Sequence, residues 1–91
     1  MPVCVRIPTP LRKLTRNQDT VNMTGATVGE VLAALERRFP GVEQRLRDEQ
    51  GRVRPYVNIF ANDEDIRFLR GLETPVKDGD EITIVPALAG G

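Results

Sequence analysis

Histidine and serine are absent from this sequence, and cysteine occurs once, as Cys4. Histidine is the commonest general base and the commonest metal ligand, so its absence excludes the usual catalytic pairs with serine or cysteine. A single cysteine cannot close an internal disulfide or hold an iron–sulfur cluster. We therefore predict no metal site, and we expect Cys4 to be a small strand residue.

An excess of charge of one sign is also missing, because thirteen basic and thirteen acidic side chains cancel at neutral pH. A balanced surface gives no electrostatic reason to bind nucleic acid or an anionic membrane. No apolar run is long enough to span a bilayer, and the first residues lack the apolar core of a signal peptide. We therefore expect a cytoplasmic protein with neither nucleic acid nor membrane among its partners.

The clearest predicted element is a helix that follows Thr27. Thr27 and Glu30 fit a capping box, in which each side chain accepts a hydrogen bond from the other's backbone N–H. Pro40 and Gly41 are typical of a helix end. The apolar residues between these two signals recur at helical spacing and form one stripe, made of Val28, Val31, Leu32, Leu35 and Phe39.

Strands are predicted on both sides of this helix. Apolar residues alternate in residues 3–7, 20–23 and 81–86, and most clearly in residues 56–61. A polar turn after these is expected to lead into a short return strand at residues 66–68. This order predicts an α+β fold in which one main helix covers one face of a sheet and leaves the other face partly open.

The open face is predicted to carry Cys4, Arg6, Phe60 and Val85. A large aromatic side chain on a solvated face often marks an interaction site, so Phe60 is a candidate partner contact. Local packing on the sheet is the alternative for Phe60. Val85 precedes the last residues and would touch any protein that binds them. We add Phe68 as a third candidate contact.

The last five residues are the small or apolar set Ala87, Leu88, Ala89, Gly90 and Gly91. They follow Pro86, which has no N–H to donate and so tends to end a strand. Fully extended, five residues span about 17 Å, at about 3.3–3.6 Å each. Glycine lacks Cβ and can pass through a narrow channel. We predict a domain of residues 1–86 and a flexible tail of residues 87–91, in which the Gly91 carboxylate is reactive, against the alternative of an ordinary frayed end.

Several segments together resemble the ubiquitin-like sulfur carriers, a family that includes the molybdopterin synthase small subunit, the thiamine sulfur carrier and the carrier of a cysteine synthase. They are Thr27-Val28-Gly29-Glu30, Val57-Asn58, Asp78-Gly79-Asp80-Glu81 and the spacing from Pro86 to Gly90-Gly91. Residues 57–68 look most like the cysteine-synthase carrier. The resemblance covers the whole chain and implies a β-grasp fold, with the first and last strands parallel at the centre of the sheet. The chain departs from many relatives at Ala87, where a second proline often follows.

The resemblance also implies a chemistry that this chain undergoes without being an enzyme. An activating enzyme uses Mg–ATP to adenylate the Gly91 carboxylate, and a sulfur donor then displaces AMP and leaves a thiocarboxylate. Residues 87–90 thread into the partner's active site. In the cysteine branch the acceptor is a partner synthase that uses pyridoxal phosphate, and a zinc metallopeptidase releases the product. The chain itself binds none of these cofactors.

Three alternatives stay open at the level of the sequence. The same carrier could serve molybdopterin or thiamine biosynthesis instead of cysteine biosynthesis. A ubiquitin-like modifier would join Gly91 to lysines of target proteins. A plain interaction module would have an incidental Gly-Gly end.

Overall fold

The computed structural model describes residues 2–86, which form a five-stranded sheet with one long helix packed against it. The strands are β1 (Val3–Arg6), β2 (Thr20–Met23), β3 (Val57–Ala61), β4 (Glu64–Asp65) and β5 (Glu81–Pro86). The helices are the long α1 (Val28–Arg38) and the short α2 (Val42–Leu46). Short 3-10 helices span Thr9–Leu14, Ile66–Phe68 and Gly71–Glu73.

The strands lie in the order β2-β1-β5-β3-β4. β1 and β5 are parallel, with Val5 opposite Ile82, and the other neighbouring strands are antiparallel. A parallel pair needs a long crossover between its two strands, and here most of the chain lies in that crossover. This arrangement confirms the predicted β-grasp fold, with the first and last strands side by side at the centre of the sheet.

The core lies on the side of the sheet that α1 covers. Alternate strand residues point into it and are buried, whereas those between them, on the other face, are half-buried or exposed. The buried stripe of α1 packs against the inward strand residues. The buried apolar residues of the strands and of α1 are Val3, Val5, Val21, Met23, Val57, Ile59, Ala61, Ile82, Ile84, Val28, Val31, Leu32 and Leu35.

α1 begins at the predicted capping pair, with one difference in its hydrogen bonds. The Thr27 hydroxyl oxygen accepts from the backbone N–H of Glu30 at 3.2 Å, as expected. The Glu30 carboxylate accepts a hydrogen bond from the backbone N–H of Ala26 at 2.9 Å. In a capping box it would instead accept from the N–H of the N-cap residue, Thr27. The negative charge of Glu30 still lies at the positive end of the helix dipole, where it stabilises the first turn.

The predicted strand at residues 66–68 is wrong. β4 ends at Asp65, and Ile66–Phe68 is a 3-10 helix. The Asp65 carboxylate accepts from the backbone N–H of Arg67 at 2.9 Å and caps this helix. A local side-chain hydrogen bond of this kind competes with a sheet ladder, so the chain turns where the apolar pattern predicted a strand.

A partly buried ion pair, which the sequence did not reveal, joins α1 to the segment after α2. Arg47 Nε lies 2.8 Å from Glu36 Oε2, and these side chains are 15% and 7% exposed. Arg47 Nη1 also donates to the carbonyl of Gly51 at 3.2 Å. Burial raises the pKa of Glu36, and the hydrogen bond from Arg47 opposes that rise. The pair therefore holds residues 47–51 in position against α1 rather than adding much net stability.

We expect Leu32→Ala to lower the free energy of unfolding by about 2–5 kcal/mol, because it leaves a cavity where a fully buried side chain packed. Urea denaturation followed by circular dichroism measures the change. The matched control is Arg37→Ala on the exposed side of α1, which should change this free energy by less than about 0.5 kcal/mol. Equal effects of both substitutions would show that α1 does not pack through its apolar stripe.

Candidate functional site

The candidate site surrounds the end of β5. This strand lies between β1 and β3, and its last residue, Pro86, is opposite Val57 of β3. β5 is therefore a central strand, and the predicted tail begins where this strand ends. The predicted tail residues Ala87, Leu88, Ala89, Gly90 and Gly91 lie outside the described residues, so their roles stay predictions.

Two of the three predicted partner contacts lie together on the open face. Phe60 is opposite Thr83, and Val85 is two residues further along the same strand. Phe60 and Val85 are therefore diagonal neighbours, and such pairs typically lie about 7–8 Å apart, which is within reach of an aromatic side chain. Val85 is 40% exposed and Phe60 is half-buried. Together they form an apolar area beside the end of β5.

The third predicted contact, Phe68, lies elsewhere. It belongs to the 3-10 helix after β4, so the strand register that joins Phe60 and Val85 does not include it. Its side chain is 86% exposed, the largest value among the exposed large apolar residues of the described chain. Phe68 is accessible to a partner, but the structure does not make it part of the same apolar area.

An ion pair borders this apolar area on the β1 side. Arg6 Nε lies 2.8 Å from Glu81 Oε2, and Arg6 is opposite Thr83, the residue that is also opposite Phe60. The hydrogen bond to Glu81 raises the pKa of Arg6 above its ordinary value. Arg6, Thr83 and Phe60 thus form one row across the three central strands.

A second arginine network borders the apolar area on the β4 side, and the sequence analysis missed it. Arg67 Nη2 lies 2.9 Å from Asp65 Oδ2, and Arg67 Nε donates to Asp65 Oδ1 at 3.2 Å. Arg67 Nη2 also donates to the amide oxygen of Asn58, which is opposite Val85. The side-chain hydrogen bond from Arg67, helped by its backbone N–H, lowers the pKa of Asp65. The available signal for this network was the alternation of the strands, which places Asn58 and Asp65 on the same face of neighbouring strands.

We call Phe60, Val85, Arg6 and Arg67 the open-face patch. An apolar centre with arginines at its border is the composition typical of protein–protein contacts. Within residues 2–86, no three side chains of the His, Cys, Asp and Glu types form a group that could hold a metal ion. No helix of this same part of the chain is long and apolar enough to cross a bilayer. The apolar centre and its arginine border are what suit the open-face patch to docking against another protein.

Comparison with known proteins identifies the family. Residues 5–91 match the ThiS family. The chain belongs to this family of ubiquitin-like sulfur carriers. It is 47% identical to the sulfur carrier protein CysO of Mycobacterium tuberculosis over the full length of both chains. It is also 42% identical to the small archaeal modifier protein 3 of Haloferax volcanii, over 72% of this chain and 71% of that one.

Solved structures of relatives have the same fold. In the crystal structure of the Amycolatopsis orientalis BexX/CysO complex, the matching chain is 47% identical and superposes with a TM-score of 0.90, over 98% of this chain and 99% of that one. The crystal structure of Mycobacterium tuberculosis CysO superposes with a TM-score of 0.88 at 45% identity, over 94% and 99% of the two chains. The resemblance read from the sequence is thus confirmed for both family and fold.

We expect Arg67→Gln to raise the pKa of Asp65 toward the ordinary aspartate value, because it removes the guanidinium that favours the carboxylate. A carboxyl-carbon NMR titration measures this pKa. Since folding lowers it, the stabilisation from Asp65 is complete at neutral pH. It is lost as the pH falls from about 3.9 through the folded-state pKa.

Asp48 provides an internal control in the same titration. Backbone hydrogen bonds from Arg52 and Gln50 lower its pKa, so this pKa should stay low in the Arg67→Gln variant. An Asp65 pKa that does not change would contradict the network on the β4 side of the open-face patch.

Proposed function

We propose that this protein is a sulfur carrier and not itself an enzyme. In this proposal the Gly91 carboxylate is adenylated and converted to a thiocarboxylate, whose sulfur is used for cysteine biosynthesis. The observation that carries the proposal is the end of the central strand β5 at Pro86, five residues before Gly91. The full-length similarity to CysO supports it and favours the cysteine branch.

The proposed chemistry needs activation because a carboxylate is a poor electrophile. Adenylation by a partner that uses Mg–ATP joins the Gly91 carboxylate to AMP and releases pyrophosphate. A sulfur donor then attacks the acyl carbon, and AMP leaves with the electron pair of the broken bond. The thiocarboxylate sulfur that results is an anionic, soft nucleophile at neutral pH, so it needs no adjacent histidine to activate it.

The folded domain would contribute docking and reach. The open-face patch would contact the activating enzyme, while the tail residues, about 17 Å long when extended, enter its active site. The same tail would later present the sulfur to an acceptor synthase that holds pyridoxal phosphate, and a zinc metallopeptidase would release cysteine. These partners follow from the family and are part of the proposal.

Two other functions of the same tail compete with this one. The Haloferax volcanii modifier supports a protein-modifier function, in which Gly91 is joined to lysines of other proteins. The molybdopterin synthase sulfur carrier subunit of Mycobacterium tuberculosis supports delivery to molybdopterin. It is less similar, at 32% identity over 85% of this chain and 78% of that one. Thiamine biosynthesis is a further possible destination of the sulfur.

We expect protein from its own host, or protein treated with its activating enzyme, ATP and a sulfur source, to carry sulfur at Gly91. Exchange of oxygen for sulfur adds about 16 Da, nominally the same as oxidation of Met23 or Cys4. Intact-mass measurement is therefore combined with thiol-selective alkylation and peptide mapping. A chain without Gly91 is the control, because the core residues all lie before the tail.

The outcomes of this experiment separate the candidate functions. An alkylatable Gly91 that transfers sulfur to a synthase with pyridoxal phosphate would support the cysteine branch, and transfer to a molybdopterin synthase large subunit would support the other. Gly-Gly remnants on lysines of other proteins, with no sulfur on Gly91, would favour the modifier. Normal thiocarboxylate formation in the chain without Gly91 would contradict the proposal.

We expect Phe60→Ala to raise the KM of the activating enzyme for this carrier about tenfold and leave kcat unchanged, because it removes an aromatic docking contact. Pyrophosphate exchange at varied carrier concentration measures both constants. Leu69→Ala is the control, since Leu69 is exposed and lies outside the open-face patch. The same assay on Val85→Ala and Phe68→Ala tests the other two contacts, and a normal KM for both Phe60→Ala and Val85→Ala would exclude this docking surface.

A further inference from the structure

A concave site lies on the helix side of the sheet, on the face of β3 opposite Phe60. It has a volume of about 260 Å³ and opens between the inner side of β3, the segment before β3 and the turns after β4. We call it the β3 pocket. Its lining includes the apolar residues Val53, Val57, Ile59, Ile66 and Leu72 and the arginines Arg52, Arg54 and Arg67.

The floor of the β3 pocket is made of core side chains. Val57, Ile59 and Ile66 are buried members of the main hydrophobic core, and Val53 and Leu72 pack against that core from its border. α1 does not line this part of β3, so the pocket is a place where the core is reached from solvent. A partner group that filled it would extend the core and exclude water from apolar surface.

The size of the β3 pocket selects the kind of group that it can hold. An apolar cavity of about 150 Å³ is enough for a benzene molecule, whereas pockets for whole ligands span about 300–1,000 Å³. At about 260 Å³, the β3 pocket matches one large apolar side chain better than a nucleotide or another complete cofactor.

The charges of the residues that line the β3 pocket are unbalanced. Among its lining residues, Asp65 neutralises Arg67, but no ion pair within residues 2–86 involves Arg52 or Arg54. Arg54 Nε donates to the carbonyl of Gln44, a neutral acceptor, at 3.1 Å. Asp48 interacts electrostatically with both arginines, and Arg54 also lines a neighbouring concavity with Glu43, Asp48 and Glu49. Among the residues that line the β3 pocket itself, three arginines face one aspartate, so the pocket combines an apolar floor with a net positive lining.

The wall that carries these arginines is already ordered. The Asp48 carboxylate accepts from the backbone N–H groups of Gln50 and Arg52 at 2.9 and 3.0 Å. The N–H of Arg54 donates to the carbonyl of Leu46 at 2.9 Å, which ties the segment to the end of α2. Binding at this wall would not require a loop to become ordered, and that lowers the entropic cost of association.

We propose that the β3 pocket binds one large apolar side chain of a partner protein, presented on a peptide segment with carboxylates on both sides of it. The apolar floor receives the side chain, and Arg52 and Arg54 attract the carboxylates. The apolar floor of the pocket and the apolar centre of the open-face patch lie on opposite faces of β3, and Arg67 borders both. This inference does not depend on the tail or on sulfur chemistry.

The test uses the full chain with selectively labelled isoleucine, leucine and valine methyl groups, observed by NMR. The probe is the acetylated and amidated peptide Glu-Glu-Phe-Glu-Glu. We expect it to shift the methyl signals of Val57, Ile59 and Ile66 and to bind about tenfold tighter than the same peptide with alanine in place of phenylalanine. A peptide with lysines in place of the glutamates should bind more weakly than the acidic probe.

Charge reversal provides the matched pair of variants. Arg52→Glu should weaken binding of the acidic probe about tenfold, whereas Arg37→Glu makes the same charge change on the exposed side of α1 and should not weaken it. Unchanged amide spectra away from the substitutions would establish that both variants are folded. Absence of methyl shifts, equal binding of the alanine peptide, or equal effects of the two variants would overturn the proposal.

The outcome is independent of the carrier proposal. Arg52 is not in the tail or the open-face patch, so Arg52→Glu should still acquire sulfur at Gly91 if the carrier proposal holds. If Arg52→Glu loses peptide binding but still acquires sulfur at Gly91, the β3 pocket acts independently of the tail. Normal peptide binding by protein that never acquires sulfur would contradict the carrier function and leave the β3 pocket standing.

Discussion

The fold depends on the insertion of β5 between β1 and β3. Ile82 and Ile84 of this strand are almost fully buried, and its backbone pairs with strands on both sides. Without β5, the sheet would divide into the pairs β1–β2 and β3–β4, each with an unpaired edge and half of a core. The two ends of the domain are therefore required together, and the last residues follow directly from the strand on which the sheet depends.

This placement separates two tasks within a small protein. The core side of the sheet is closed by α1 and carries the stability, while the open face leaves Phe60 and Val85 at the surface as the proposed docking contacts. The arginines on either side of them, Arg6 and Arg67, are exposed, so their ion pairs with Glu81 and Asp65 add little stability. In the proposed docking they would orient a partner, because paired charges at a border favour one docking direction over others.

Features set by neighbouring residues were predictable from the sequence. The stripe and cap of α1 and the alternation within the long strands follow from local spacing, and that alternation also placed Phe60 and Val85 on one face. The parallel pairing of β1 with β5 joins residues far apart in the chain, so only the family resemblance implied it. Arg67 was missed because the cap at Asp65 replaced a strand. The β3 pocket was missed because it combines segments that have no common periodicity.

The parallel register of β1 and β5 has a mechanical consequence. A force that pulls the two chain ends apart acts along both strands in opposite directions, so it shears the β1–β5 ladder. In a sheared ladder the hydrogen bonds bear the load together, whereas in an unzipped ladder they break one after another. A pull between the two chain ends therefore meets the whole β1–β5 ladder at once, so the domain can stay folded while its carboxyl end is under load.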